Sequence, residues 1–305
     1  MSAAAPHRIS YLEPYLSRSA PAPTLLKMLV GAQLAGIRKD AGVSQQEAAR
    51  EVGCSSATLC RIEAGKGRKP AREETVAALL RLYGADDYET SVVLQLLRRA
   101  SQPGWWQRYD SRLMPEWSER LISLQEATTA IRTYEVHFVP GLLQTAAYAR
   151  AVTCRGLPMA SPAEVERRTE LRMLRQRLLA RPDAPRLWAV IDEAVLYRVL
   201  GGREVMREQM EHLVEMSHRP NVTLQVVPLD LIDASSPGMP ITYLRFPAQD
   251  LPDIVYLEHI KSAVFLEEPE ETQEYRLALD RLADESLSPR DTRELLQETL
   301  RKRYA

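Results

Sequence analysis

The stretch Val43–Glu63 leaves the chain little choice of local fold. Ser44 and Glu47 have the spacing of a capping box, which predicts a helix starting at Gln45. Gly53 ends that helix where a positive φ is easiest to adopt, and Ser55 can cap a second helix from Ser56. Two helices joined by so short a turn cross steeply and nearly touch, so the crossing demands a small residue. Ala49, four residues before Gly53, supplies it. Ala48 and Val52 fall on the inner face of the first helix, Leu59 and Ile62 on that of the second. These offsets are those of a helix-turn-helix that binds DNA, in which the second helix enters the major groove and its first residues meet base edges.

Candidate DNA contacts follow from that geometry. Ser55, Ser56, Ala57 and Thr58 open the second helix, with Arg61 one turn later. Serine and threonine hydroxyls bond several bases, and an alanine or threonine methyl meets the methyl of thymine. Arg61 suits either a guanine or a phosphate. Gln45, at the start of the first helix, can offer its amide to a phosphate, helped by the helix N-terminus. From Arg61 to Arg72 the chain holds Arg61, Lys66, Arg68, Lys69 and Arg72 against Glu63 alone, a surplus of four positive charges beside the reading head.

Charge elsewhere fits this division. The 305 residues carry 40 Lys+Arg and 41 Asp+Glu, a formal net charge of −1, so any affinity for a polyanion must be local. Residues 24–100 hold 12 basic and 9 acidic side chains, leaving the remainder at −4. Length suggests about two domains. No apolar run approaches the ~18 residues that span a bilayer. Three cysteines without a C-x-x-C pair argue against a disulfide framework or a zinc site. The expectation is a cytoplasmic protein, nucleoid-associated when bound to DNA, with no membrane, metal or cofactor.

The organisation expected is a loose arm over 1–23, rich in proline; an α-helical domain of five helices over 24–100; a linker over 101–118 holding Trp105, Trp106 and Tyr109; and a larger mixed α+β domain over 119–305. In that domain helices are predicted at Leu121–Tyr134, Leu142–Val152, Pro162–Ala180, Arg203–His218, Glu270–Glu285 and Pro289–Arg303. Strands are predicted at Leu187–Ile191, Val222–Val227, Ile241–Phe246, Ile254–Leu257 and Ala263–Leu266. Ser161 and Glu164 form a capping box with proline at the first helical position.

No catalytic motif appears in this half, so no enzyme activity is expected. The five histidines are scattered. Two features are candidate ligand or partner sites. One is the turn Val139–Thr145, with Gln144, whose following helix start would offer free N–H groups. The other is Asp192-Glu193 at the end of a strand, a frequent ligand position, although Asp192 can equally cap the next helix. Trp105 and Trp106 are a third candidate, either lining a pocket or fixing the linker to a domain.

The head resembles the repressor-like (XRE type) family of phage repressors and bacterial regulators over about Leu34–Asp87. The family pattern ends Ile-Ser-x-x-Glu-x-Gly; here Leu59-Cys60-Arg61-Ile62-Glu63-Ala64-Gly65 carries a thiol, Cys60, in place of the hydroxyl. Gly104-Trp105-Trp106, Val139–Thr145 with Tyr148-Ala149-Arg150, Leu187-Trp188 with Asp192-Glu193, and Tyr256–His259 recur in this order in a large family of antitoxin-like bacterial regulators. That resemblance implies transcriptional regulation, and a small companion protein as a partner. A head of this type expects a homodimer on a palindromic double-stranded operator. The effector, if one exists, stays open. The alternative reading is an antitoxin-type protein whose C-terminal domain holds the companion while the head autoregulates its operon.

Overall fold

A computed structural model describes residues 9–16, 23–67, 70–109, 113–231, 237–247 and 251–304. The chain divides into two compact units that part between Arg108 and Tyr109. The first is α-helical: α1 (Pro23–Asp40), α2 (Gln45–Glu51), α3 (Ser56–Glu63), α4 (Glu73–Leu82) and α5 (Asp87–Ala100). Leu29, Leu34, Leu59, Leu79, Leu80, Val93 and Leu96 are fully buried and form its core. In the segment expected to be a loose arm, Ser10–Tyr15 is instead a 3₁₀ turn. Ile9, Leu12 and Tyr15 are buried, Arg99 donates to the carbonyl of Leu16, and the Tyr88 hydroxyl bonds Glu13. The apolar residues between the prolines give this turn a face to bury, and that outweighs their breaking effect.

The second unit is mixed α+β. It runs α6 (Glu116–Gln125), β1 (Ala130–Glu135), α7 (Ala146–Gly156), α8 (Pro162–Gln176), β2 (Arg186–Asp192), α9 (Ala194–Tyr197), α10 (Arg203–Met216), β3 (Val222–Val227), β4 (Ile241–Arg245), β5 (Ile254–Glu258), β6 (Ala263–Leu266), α11 (Pro269–Glu285) and α12 (Pro289–Arg303). The six strands form one sheet in the order β3-β2-β1-β4-β5-β6. β1, β2 and β3 are parallel, joined by helical crossovers, as parallel neighbours require. β4, β5 and β6 add on antiparallel. On one face Tyr134, Val190, Ile241, Tyr243 and Val255 pack with Leu279 and Leu282 of α11. Ile131, Thr133 and Glu135 alternate onto the other face.

The expected helix Leu121–Tyr134 is two elements. α6 stops at Gln125, the N–H of Thr128 turns back to Gln125, and that of Thr129 already joins the sheet at Arg245. β1 is central and covered on both faces, so its alternation is masked and its apolar residues mimic a helical rhythm. The other five strands lie where expected, within one residue at each end. Only the Ser161 half of the predicted capping box is made: its hydroxyl accepts from the N–H of Glu164 at 3.2 Å, while the Glu164 carboxylate turns to Arg168 at 2.9 Å. Among the described residues no helix is long and apolar enough to cross a membrane.

Candidate nucleic-acid interface and C-terminal cleft

The turn between α2 and α3 is fixed by its own backbone. Ser44 Oγ accepts from the N–H of Glu47 at 3.2 Å, and Ser55 Oγ from that of Thr58 at 3.1 Å. Gly53 takes φ +68°, and the N–H groups of Gly53 and Cys54 return to the carbonyls of Arg50 and Ala49, the double closure of a Schellman motif. Ala48, Ala49 and Leu59 are buried; Val52 and Ile62 are half-buried. Cys54 is half-buried, and Cys60 is an exposed free thiol.

The sequence did not signal how closely α1 backs this pair. A methyl on Gly31 of α1 would run into the carbonyl oxygens of Ile62 and Glu63, so only glycine permits that approach. Arg38 of α1 then reaches Glu63 bidentately, Nε to Oε1 at 2.6 Å and Nη2 to Oε2 at 2.9 Å, and its Nη1 donates to the carbonyl of Val43 at 2.9 Å. Both side chains are nearly buried, 10 % and 6 % exposed. These bonds to Glu63 raise the pKa of the guanidinium. Gln45 joins them, its Nε2 donating to Glu63 Oε2 at 2.7 Å. The amide expected on a phosphate is thus committed within the protein, because α1 brings a buried carboxylate beside it. Burial, with Glu63 nearby, pushes the Tyr83 phenol up to about 12.

What remains outward on α3 is its leading edge. Ser56, Ala57, Cys60 and Arg61 are exposed, and Thr58 is half-buried. The Ser55 and Thr58 hydroxyls lie 2.9 Å apart, and Arg61 Nη2 donates to Thr58 Oγ1 at 3.3 Å. Lys66 is exposed just beyond. Arg68 and Lys69 lie outside the described residues.

Structural bonds account for the C-terminal candidates. Gln144 is 2 % exposed; its Nε2 donates to the Val139 carbonyl at 2.7 Å and its Oε1 accepts from Arg172 Nη1 at 2.7 Å. At the helix start after it, two N–H groups are already taken. Gln209 accepts from the N–H of Thr145 at 2.8 Å, and the Thr145 hydroxyl caps α7 through the N–H of Tyr148. Asp192 Oδ1 caps α9 through the N–H of Ala194 at 2.8 Å. Glu193 accepts from the Tyr197 hydroxyl and the N–H of Leu229, both at 2.9 Å. Trp106 is 1 % exposed, and half-buried Trp105 meets it edge to face at 5.8 Å between ring centroids. The tryptophan pair is packing, not an open aromatic wall.

A cleft of this unit lies on the sheet face opposite α11. It encloses about 290 Å³ including its open mouth, and Gln125, Thr133, Glu135, Leu142, Arg175 and Thr242 are among its walls. Pro140 and Gly141 from the Val139–Thr145 turn line it too, so the turn forms the rim. Burial pushes the Glu135 carboxyl up to about 8, with Glu258 adding to the shift and Arg172 and Arg175 opposing it. Burial, and Arg172 beside it, bring Arg175 down to about 10.

Two folded parts of distinct kind thus define a helix-turn-helix protein with an appended α+β domain. Residues 29–92 match a helix-turn-helix domain. Residues 118–298 match the family described as a domain of unknown function, DUF5753, and the chain belongs to that family. No curated protein and no solved structure matches it.

Proposed function

We propose that this protein is a sequence-specific transcriptional regulator that binds a palindromic operator as a homodimer, with a C-terminal domain that senses a ligand or assembles the dimer and performs no catalysis. The observation carrying this reading is the α2–α3 pair. Its inner residues are spent on packing and its turn on capping, while Ser56, Ala57 and Arg61 stand exposed along the leading edge of α3. That is the edge a major groove receives. Thr58 and Ser55 support it at the helix start, and Lys66, Arg68 and Lys69 supply phosphate contacts beside it. One head buries only a small interface, so two heads on two half-sites are needed for useful affinity.

Genome-wide occupancy of the tagged protein, with co-purified proteins identified from the same sample, tests the reading. Sharp peaks over inverted repeats, including one beside its own gene, are the expected result. No sequence-selective occupancy under any growth condition would defeat it. A small protein co-purifying in fixed ratio would turn the reading toward the antitoxin type.

A further inference from the structure

Glu135, Arg172 and Arg175 come from β1 and α8, and each is unfinished. Arg172 donates to Gln144 Oε1 at 2.7 Å, and Arg175 Nε to Gln125 Oε1 at 2.6 Å. Both acceptors are neutral amides. Among the described residues no carboxylate lies within ion-pair distance of either guanidinium, and no hydrogen bond reaches the Glu135 carboxyl. Charged groups withdrawn from water are normally paired. With Nε occupied, both terminal amino groups of Arg175 remain for a planar, two-point acceptor.

We propose that this cleft binds a compact amino-acid-type zwitterion, its carboxylate held by Arg175 with Arg172 behind, and its ammonium by Glu135. A lone carboxylate would satisfy the guanidinium but face Glu135; a lone amine would do the reverse. Only a molecule carrying both charges completes both walls. The Thr133 and Thr242 hydroxyls, 3.3 Å apart, add polar contacts across the β1–β4 pair. Ile131, Leu142 and Leu187 also line it but are at most 5 % exposed, so the opening suits only a small, polar ligand. The other groups that bear on Glu135 are Glu258 and Tyr256 on β5 and Tyr148 on α7. Glu258 accepts from the Tyr256 hydroxyl at 2.8 Å and its charge also bears on Arg172 and Arg175. The inference deepens the sensing half of the proposed function, but its test reads binding and not DNA occupancy, so the two can fail separately.

The test is calorimetric titration of the full chain at pH 8 with the standard L-α-amino acids, β-alanine and γ-aminobutyrate. Each binder is then compared with its deaminated acid and its decarboxylated amine. The expected result is saturable binding of at least one small member, about tenfold tighter than either analogue. Glu135→Gln and Arg175→Gln should each weaken it about tenfold or more, with unchanged circular dichroism. In the unmodified chain affinity should rise from pH 6 to pH 8.5 with release of a proton, since Glu135 must ionise to take the ammonium. That measurement stands even if a variant fails to fold. Absence of binding across the panel, equal binding of the deaminated acid, or affinity falling with pH would each overturn the proposal.

Discussion

The two units each withdraw charge from water, nearly completely in the head and partly in the C-terminal unit, and they pair it in opposite ways. In the head, Arg38 and Glu63 meet bidentately, Val43 and Gln45 complete them, and the group is closed. In the C-terminal unit, Arg172 and Arg175 end on neutral amides and Glu135 on a cleft. A closed cluster fixes how elements meet: here it ties α1, α2 and α3 so that the edge of α3 is held rigidly. An open cluster costs stability in the absence of a partner and makes binding a way to recover it. The contrast predicts that mutations in the two places have opposite signs.

The largest effect is expected from Glu63→Ala. It strands a buried guanidinium and should destabilise the head by about 3–5 kcal/mol. Hydrogen exchange of head amides is the suitable measurement, because a chain of two units need not unfold in one step. Replacing both partners, Arg38→Met with Glu63→Leu, should recover most of the loss. A drop below about 1 kcal/mol in the single variant would mean that the cluster is not closed.

Glu135→Gln should do the reverse, and its sign follows from titration. The folded chain holds this carboxyl's proton up to about pH 8, whereas an unperturbed carboxyl releases it near 4.5. The folded state therefore binds more protons between these values, and stability falls as pH rises through the window. Removing the group should stabilise the C-terminal unit by about 2–4 kcal/mol at pH 8 and hardly at all at pH 4. Thermal melts of both proteins at the two pH values test it. Equal melting at pH 8 would show that Glu135 is already compensated.

These two clusters also mark how far the sequence is readable. Ser44, Gly53, Ser55 and Ser161 announce their helix ends because caps are contacts over three or four residues. The helix-turn-helix is legible for the same reason: Ala49, Gly53 and Leu59 are near neighbours along the chain. The place of Gly31 is not, since what it accommodates lies over thirty residues away. Glu135 falls just past the helix expected over Leu121–Tyr134, and Arg172 and Arg175 lie within the one expected over Pro162–Ala180, with nothing local to join them. Only the parallel register of β1 with β2 and the seating of α8 bring Glu135 and Arg175 to one cleft, with Arg172 beside Arg175. Asp192 and Glu193 look suited to a ligand because strand ends often are, but Asp192 caps α9 and Glu193 holds Tyr197 and Leu229.

On α3 the comparison is between neighbours. Ala57 faces outward with nothing but a methyl, so Ala57→Arg should change which base pair is preferred, by about 1–3 kcal/mol between matched and mismatched sites. Selection from randomised duplexes would show the change as a new preference at one position of each half-site.

Arg61 should behave differently from Ala57 although it stands only one turn away. Its Nη2 leans on Thr58 Oγ1 at 3.3 Å. A guanidinium braced against its own helix is held to the side of the groove floor, where the phosphates run. Arg61→Ala is therefore expected to weaken all duplexes alike, leave the preferred sequence intact, and flatten the salt dependence of log Kd by about one unit. Thr58→Ala should mimic part of this loss by releasing the brace. If Arg61→Ala instead relaxed the preference at a single guanine and left the salt slope unchanged, the arginine would be a base reader and the reading edge of α3 would extend a full turn further than Ala57.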